Sequence, residues 1–219
     1  MISKDKIIPL IGVVVGLVAV FFINRSNQFH ADAYVKSIMD NLFLDDSTEY
    51  VELVDITAME AHTAYLEGLS QEADIFYGYV GFDKEYLSQE MSGRVIALYD
   101  KIYKYSRYEV GEANKTKEGY TVTVRIYPID IWDRSEDDIT AFVEEFYKKI
   151  SNGEYDSMTE SELEAVYQDS ILTIIEGKVD SIDYLEPVDQ TVLVKKDSDG
   201  IWEISEEDFQ NLDTYVIAY

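Results

Sequence analysis

The sequence predicts an α+β fold, with an N-terminal transmembrane helix followed by amphipathic helices packed on antiparallel hairpins or a curved sheet. Three observations predict it. Residues 7–23 run for 17 positions without a charge. Apolar residues then recur at helical spacing along several stretches. Twice the period falls to two, as in half-buried strands.

The apolar run sets the first element. At ~1.5 Å per residue it reaches ~26 Å, close to the ~30 Å hydrocarbon core of a bilayer. Pro9 sits in the first turn, where a missing N–H costs little. A cleaved signal peptide needs a shorter apolar core and small residues at the cut. The one candidate cut, Ala31-Asp32-Ala33, lies well past the core and follows Arg25. A buried core helix would rarely be apolar on every face. An uncleaved signal anchor fits best. Lys4 and Lys6 precede the span and Arg25 follows it, which favours an inside N-terminus. Gly12 and Gly16 form G-x-x-x-G, a groove through which two membrane helices could dimerise.

Past residue 30 the helical period begins. Tyr34, Val35, Ile38, Met39 and Leu42 mark one helix, broken at Asp45-Asp46-Ser47. Residues 48–69 read as a second, interrupted helix, and residues 77–81 as a glycine-punctuated bend. Asp83 is expected to cap the clearest helix, whose stripe is Leu87, Met91, Val95, Leu98, Ile102 and Tyr105. Tyr120, Val122, Val124 and Ile126 alternate with polar residues as a strand, with 108–113 as its antiparallel partner and 114–119 as the turn.

The second half repeats this order. Ser135 with Asp138 resembles a capping box before Ile139, Phe142, Val143, Phe146 and Ile150. Asn152-Gly153 stops that helix. Thr159 with Glu162 is a T-x-x-E box opening a helix that ends at Gly177. Strands are expected at about 181–185, 190–196 and 201–204, with residues 196–200 as a hairpin turn. A short helix or turn at 206–212 and an extended segment at 215–219 complete the chain. The expected organisation is a cytoplasmic tail (1–6), a transmembrane anchor (7–24) and two α+β halves of one ectodomain (25–131 and 132–219).

Composition removes whole classes of function. The 219 residues carry 18 Lys+Arg against 44 Asp+Glu, a net charge of −26. A surface this acidic repels phosphate backbones, so no nucleic acid is expected. There is no Cys and only two His, which leaves no thiolate or multi-His metal site and no cysteine nucleophile. No GxSxG, HExxH, P-loop or GxGxxG pattern occurs. No catalytic, cofactor or metal residue is therefore assigned.

Several clusters invite a functional reading. Asp197, Asp199, Gly200 and Glu206 align to a calcium loop, but Lys195 falls where its first ligand belongs, so a hairpin turn is preferred. The many carboxylate pairs read as solvated helix caps. His62 lacks a nucleophile at recognisable spacing. Lys101, Lys104 and Arg107, interleaved with Tyr99 and Tyr103, form the one basic stripe of the ectodomain. That stripe either pairs internally with the surplus acid or is the candidate docking face for an anionic glycan, lipid headgroup or protein partner.

The anchor, the strand running to Pro128 with Ile129-Asp130 after it, and the stretch 196–205 leading to Asp208-Phe209 carry a resemblance. The layout resembles uncharacterised membrane-anchored extracytoplasmic proteins of Gram-positive bacteria. The resemblance implies a cystatin-like or nuclear-transport-factor-like α+β domain and no catalytic residues. Many such proteins carry a lipidated Cys after the apolar core; here the helix itself must anchor the chain. The expected function is a membrane-tethered, extracytoplasmic, non-catalytic binding or scaffolding module of the cell envelope. The alternatives are a sensor subunit signalling through its membrane helix, with homodimerisation at Gly12 and Gly16, and an envelope hydrolase using acidic residues.

Overall fold

The computed structural model describes residues 29–198 and 200–219. The expected tail and anchor, with Gly12 and Gly16, lie outside the described residues, as do Asp199 and the Glu206 side chain. Among the described residues no helix is long and apolar enough to cross a membrane.

The chain is mixed α+β with a curled antiparallel sheet. Helix α1 (Ala31–Leu44) buries the expected face: Tyr34, Val35, Ile38, Met39 and Leu42. It ends at Asp45, whose left-handed backbone (φ 55°) halts the helix. Helix α2 (Thr48–Val54) ends the same way at Asp55. A true capping box, Thr57 with Glu60, then opens α3 (Ala58–Val80).

Helix α3 runs 11 residues past the expected end at Leu69. Gly78 is accommodated within it, and only Gly81, at φ 76°, stops it. The expected bend at 77–81 is thus the last turn of a helix. Asp83 caps a single 3-10 turn at Lys84–Tyr86. The next helix, α4 (Gln89–Tyr103), is capped instead by Ser88, whose hydroxyl accepts from the Met91 N–H.

Strands β1 (Arg107–Val110), β2 (Asn114–Lys115) and β3 (Gly119–Tyr127) follow. Helix α5 (Trp132–Ser151) begins three residues before the expected cap. Ser135 is buried inside it and donates to the Ile131 carbonyl, so it caps nothing. Helix α6 (Glu160–Glu176) opens on the expected Thr159–Glu162 box and ends at Gly177. Residues 181–185 form no strand; a 3-10 turn at Val179–Ser181 and one bridge from Tyr184 to Ile129 stand there. Strands β4 (Val188–Lys196) and β5 (Trp202–Ile204) and helix α7 (Glu206–Thr214) complete the described elements.

The two hairpin regions do not form separate sheets. Strand β3 pairs antiparallel with β1 and β2 on one side and with β4 on the other, giving the order β1-β3-β4-β5. Val122, Val124, Ile126, Val192, Val194 and Ile204 line the inner face, where α1 crosses β1 and β3. The outer face is polar: Arg125 grips Asp189 with two hydrogen bonds, and Thr123 meets Thr191 at 3.0 Å. The core continues without interruption through α1–α7 and the sheet.

Charged pairs tie α6 to the helices before the sheet. Arg94 of α4 holds Asp169 at 2.6 Å and Glu176 at 2.8 Å. Tyr167 donates to the Val80 carbonyl at the end of α3. At the sheet edge, Asp208 of α7 accepts from the Leu193 N–H, an otherwise open strand donor.

Gly119 stands where β3 begins. A Cβ there would lie 2.1 Å from the Val194 carbonyl oxygen, inside any van der Waals contact. Gly119→Ala is expected to cost about 2–4 kcal/mol, because the paired β4 backbone must move. A urea midpoint unchanged from the parent would contradict this packing.

Candidate functional site

The site forms where α3, α4 and the chain after α7 converge. Ala61, Tyr65, Leu69, Ala73 and Phe76 carry the buried face of α3. Glu72 stands on that same face and is only 5% exposed. Tyr99 and Tyr103 project from the buried face of α4. After α7, residues 215–219 run beside Ile129: the Ile129 N–H donates to the Val216 carbonyl, and the Ala218 N–H to the Ile129 carbonyl. That short parallel pairing delivers Tyr219 to the site.

The Tyr219 hydroxyl donates to Glu72 Oε2 at 2.7 Å and lies 2.8 Å from the Tyr99 hydroxyl. The Tyr103 hydroxyl faces Glu72 as well and favours its ionised form. The Tyr219 residue is partly exposed, but its hydroxyl end is inside. Asp213, at the end of α7, is half-buried as a residue and turns its carboxyl inward toward Glu72.

Burial governs the protonation of this group. It pushes the Glu72 carboxyl up, although hydrogen bonds from Tyr219 and Tyr103 pull the other way. It pushes Asp213 well above the carboxylate range, and the neighbouring Glu72 charge adds to this. Tyr99, Tyr103 and Tyr219 are raised by burial and stay neutral. The two carboxyls titrate as a pair. The tyrosine hydroxyls favour ionised Glu72, whereas burial favours the protonated form of both carboxyls, so the group can take up a proton inside the fold.

Aromatic rings join this interior to the surface. Phe76 is fully buried and touches Tyr77, Phe82, Tyr99 and Trp132. Trp132 lies 4.5 Å from Tyr79 and 5.5 Å from Tyr219, with 5.4 Å between those two. Tyr79 is 49% exposed, so this trio reaches solvent. Burial raises the Tyr79 hydroxyl, and the charges of Glu136 and Asp133 add to it. The Trp132 indole N–H is buried without a hydrogen-bond acceptor among the described residues. The arrangement offers stacking faces, carboxylate acceptors at the rim and one donor in want of an oxygen.

The basic stripe expected from the sequence does not assemble with its tyrosines. Tyr99 and Tyr103 are 1% and 3% exposed and face the core. Lys101 and Lys104 point to solvent from the other side of α4, and Lys104 pairs with Asp100 at 2.6 Å. Arg107 stacks 4.2 Å over the Tyr127 ring on β1 and β3. Tyr105 falls beyond the end of α4 and is exposed, not part of its buried stripe. His62 meets Asp45 at 2.8 Å on the surface. The 196–200 segment is a turn: Asp197 accepts from the Ile201 N–H through its carboxylate, and the Gly200 N–H donates to the Asp197 carbonyl. No group of three or more metal-ligating side chains occurs among the described residues.

No protein-family model and no curated protein matches the chain. Among solved structures, it is similar to the crystal structure of a lipoprotein candidate, YcdA, from Bacillus subtilis subsp. subtilis str. 168. The TM-score is 0.57 and the sequence identity 14%, over 87% of this chain. What the two share is the fold. This chain covers 57% of the length of that protein.

Proposed function

We propose that the protein is a membrane-tethered, non-catalytic binding module on the outer side of the cell membrane, and that Tyr79, Trp132 and Tyr219 hold a carbohydrate chain of the envelope. The observation that carries the reading is an aromatic trio that reaches solvent through Tyr79 and Tyr219, with carboxylates at its rim and the acceptor-less indole N–H of buried Trp132 behind them. Sugar rings stack on aromatic faces, and their hydroxyls both donate to carboxylates and accept from N–H groups. Glu72 is already engaged by tyrosine hydroxyls, which supports binding over hydrolysis. The charge-free run at 7–23 supports the tether, and the fold shared with a lipoprotein candidate is compatible with the location.

Two measurements test this. Membrane fractionation with protease treatment of intact cells is expected to leave the full-length protein in the membrane, with its C-terminal tag cleaved from outside. A protected tag overturns the topology. Titration with solubilised envelope oligosaccharides, read by tryptophan emission, is expected to show binding that Tyr79→Ala weakens by about tenfold, the equivalent of ~1.4 kcal/mol. Equal affinities for parent and variant would remove the trio from the binding face.

A sensor reading has one specific observation in its favour. The Glu72–Asp213 pair joins α3 to the chain end that carries Tyr219, so protonation there would bear directly on the aromatic face.

A further inference from the structure

The N-terminal end of the described chain meets a second aromatic group, far from the first. Phe29 stacks on Trp202 at 4.4 Å, with the rings 2° from parallel, and lies 5.8 Å from Tyr120. Tyr120 and Trp202 are 5.4 Å apart, and both are half-buried at the rim of the sheet. Lysines flank them. Lys196 is paired with Trp202 in the β4–β5 register, and its Nζ sits 5.1 Å from the Trp202 ring. Lys115 is paired with Tyr120 in the β2–β3 register. Strand parity therefore places Lys115, Tyr120, Trp202 and Lys196 on the inner side of the sheet, at its end beyond the core-lining Val122, Val194 and Ile204.

Both lysines are exposed, and neither forms an ion pair among the described residues, in a chain of net charge −26. Two of the nearby acids are disposed elsewhere. Glu203 is opposite Lys195 on the other face of the hairpin, and the Asp197 carboxylate accepts from the Ile201 N–H.

Chain length fixes where this face can be. Five residues separate position 23, the end of the apolar run, from Phe29. Fully extended, the six steps span about 20 Å. A domain joined by so short a connection keeps its Phe29 end at the membrane. Tryptophan, tyrosine and lysine are the side chains that settle at the headgroup level, with the rings toward the acyl boundary and the ammonium groups at phosphate.

We infer that the face formed by Tyr120, Trp202, Lys115 and Lys196 lies on the phospholipid headgroup layer of the membrane that carries the anchor. This rests on the tether proposed above. The contact sets the tilt of the domain, which the connection alone would leave free.

The chain has two tryptophans, and they report on different ends. Full-length protein is reconstituted in vesicles of phosphatidylcholine and phosphatidylglycerol carrying a headgroup nitroxide quencher. In Trp132→Phe the remaining Trp202 emission is expected to fall by half or more. In Trp202→Phe the remaining Trp132 emission is expected to stay unchanged. Lys115→Glu combined with Lys196→Glu, in the Trp132→Phe background, is expected to relieve most of the quenching while the protein still floats with the vesicles. A protein that floats but whose Trp202 is quenched no more than Trp132 overturns this surface and leaves the tether standing. A protein that does not float overturns both. Concentration-dependent shielding of Trp202 from iodide in detergent, without lipid quenching, assigns the face to a second copy instead and overturns the inference.

Discussion

Phe76→Ala is expected to lower the free energy of unfolding by about 3–5 kcal/mol. The ring is fully buried and lies within 6.1 Å of four others. Its removal leaves a cavity that α3 and α4 cannot close, because their spacing is set by the other large residues between them. The loss also reaches the site. Tyr99 loses an edge contact at 6.0 Å and Trp132 a neighbour at 5.9 Å. Urea unfolding followed by tryptophan emission measures the first effect. Oligosaccharide affinity at low urea measures the second. A loss below about 1 kcal/mol would show that this corner is not tightly packed.

Glu72→Gln is expected to make the protein more stable at alkaline pH, and the gain should vanish in acid. Both Glu72 and Asp213 are raised by burial. Carboxyls raised in the folded state favour folding fully only below their unfolded values, near 4. Their contribution is lost as pH rises through the folded values. The glutamine keeps an acceptor for the Tyr219 hydroxyl and removes one of the two competing charges. The expected gain at pH 8 is about 1–3 kcal/mol, falling toward zero near pH 4. Melting temperatures of parent and variant between pH 4.5 and 8.5 give the comparison. Acidification also relieves the mutual repulsion of a chain at −26, but it does so in both proteins. Parallel curves would remove the carboxyl pair from the pH response.

The elements most legible in the sequence are those whose signals are local. Thr159 and Glu162 cap α6 as read, because a capping box needs only four consecutive residues. The same signal at Thr57 and Glu60 lies inside a segment whose periodicity reads as one interrupted helix. Tyr120 to Ile126 gave β3 its face by parity alone. The pairing of β3 with β4 was not legible, since more than 60 residues separate partners such as Arg125 and Asp189. That pairing turns two hairpin regions into one sheet.

The site was harder to read for a different reason. Ala61, Tyr65, Leu69, Glu72 and Phe76 step by 4, 4, 3 and 4, so Glu72 occupies a core position of a regular stripe. An acid in that place is the signal, and it disappears when the helix is ended at Leu69. Sequence order alone interleaves Tyr99 and Tyr103 with the lysines of the basic stripe. Helical spacing instead sets them one turn apart on the buried side, beside Leu98 and Ile102. Asp213 and Tyr219 join the group only through the bridge at Ile129, a contact with no local signature.

Strand β3 does more than divide the sheet. Phe29, Tyr120 and Trp202 gather at its first residues, whereas Ile129, Trp132 and Tyr219 lie just beyond its last. Nine strand residues at ~3.3 Å each make a strut of up to ~30 Å. Were the sheet end to rest on lipid as inferred above, the length of this strut would bound how far the aromatic trio can stand from the headgroups, at about one bilayer core's thickness. What the module could grasp would then be a matter of altitude as well as chemistry, confined to the stratum of the envelope within that reach.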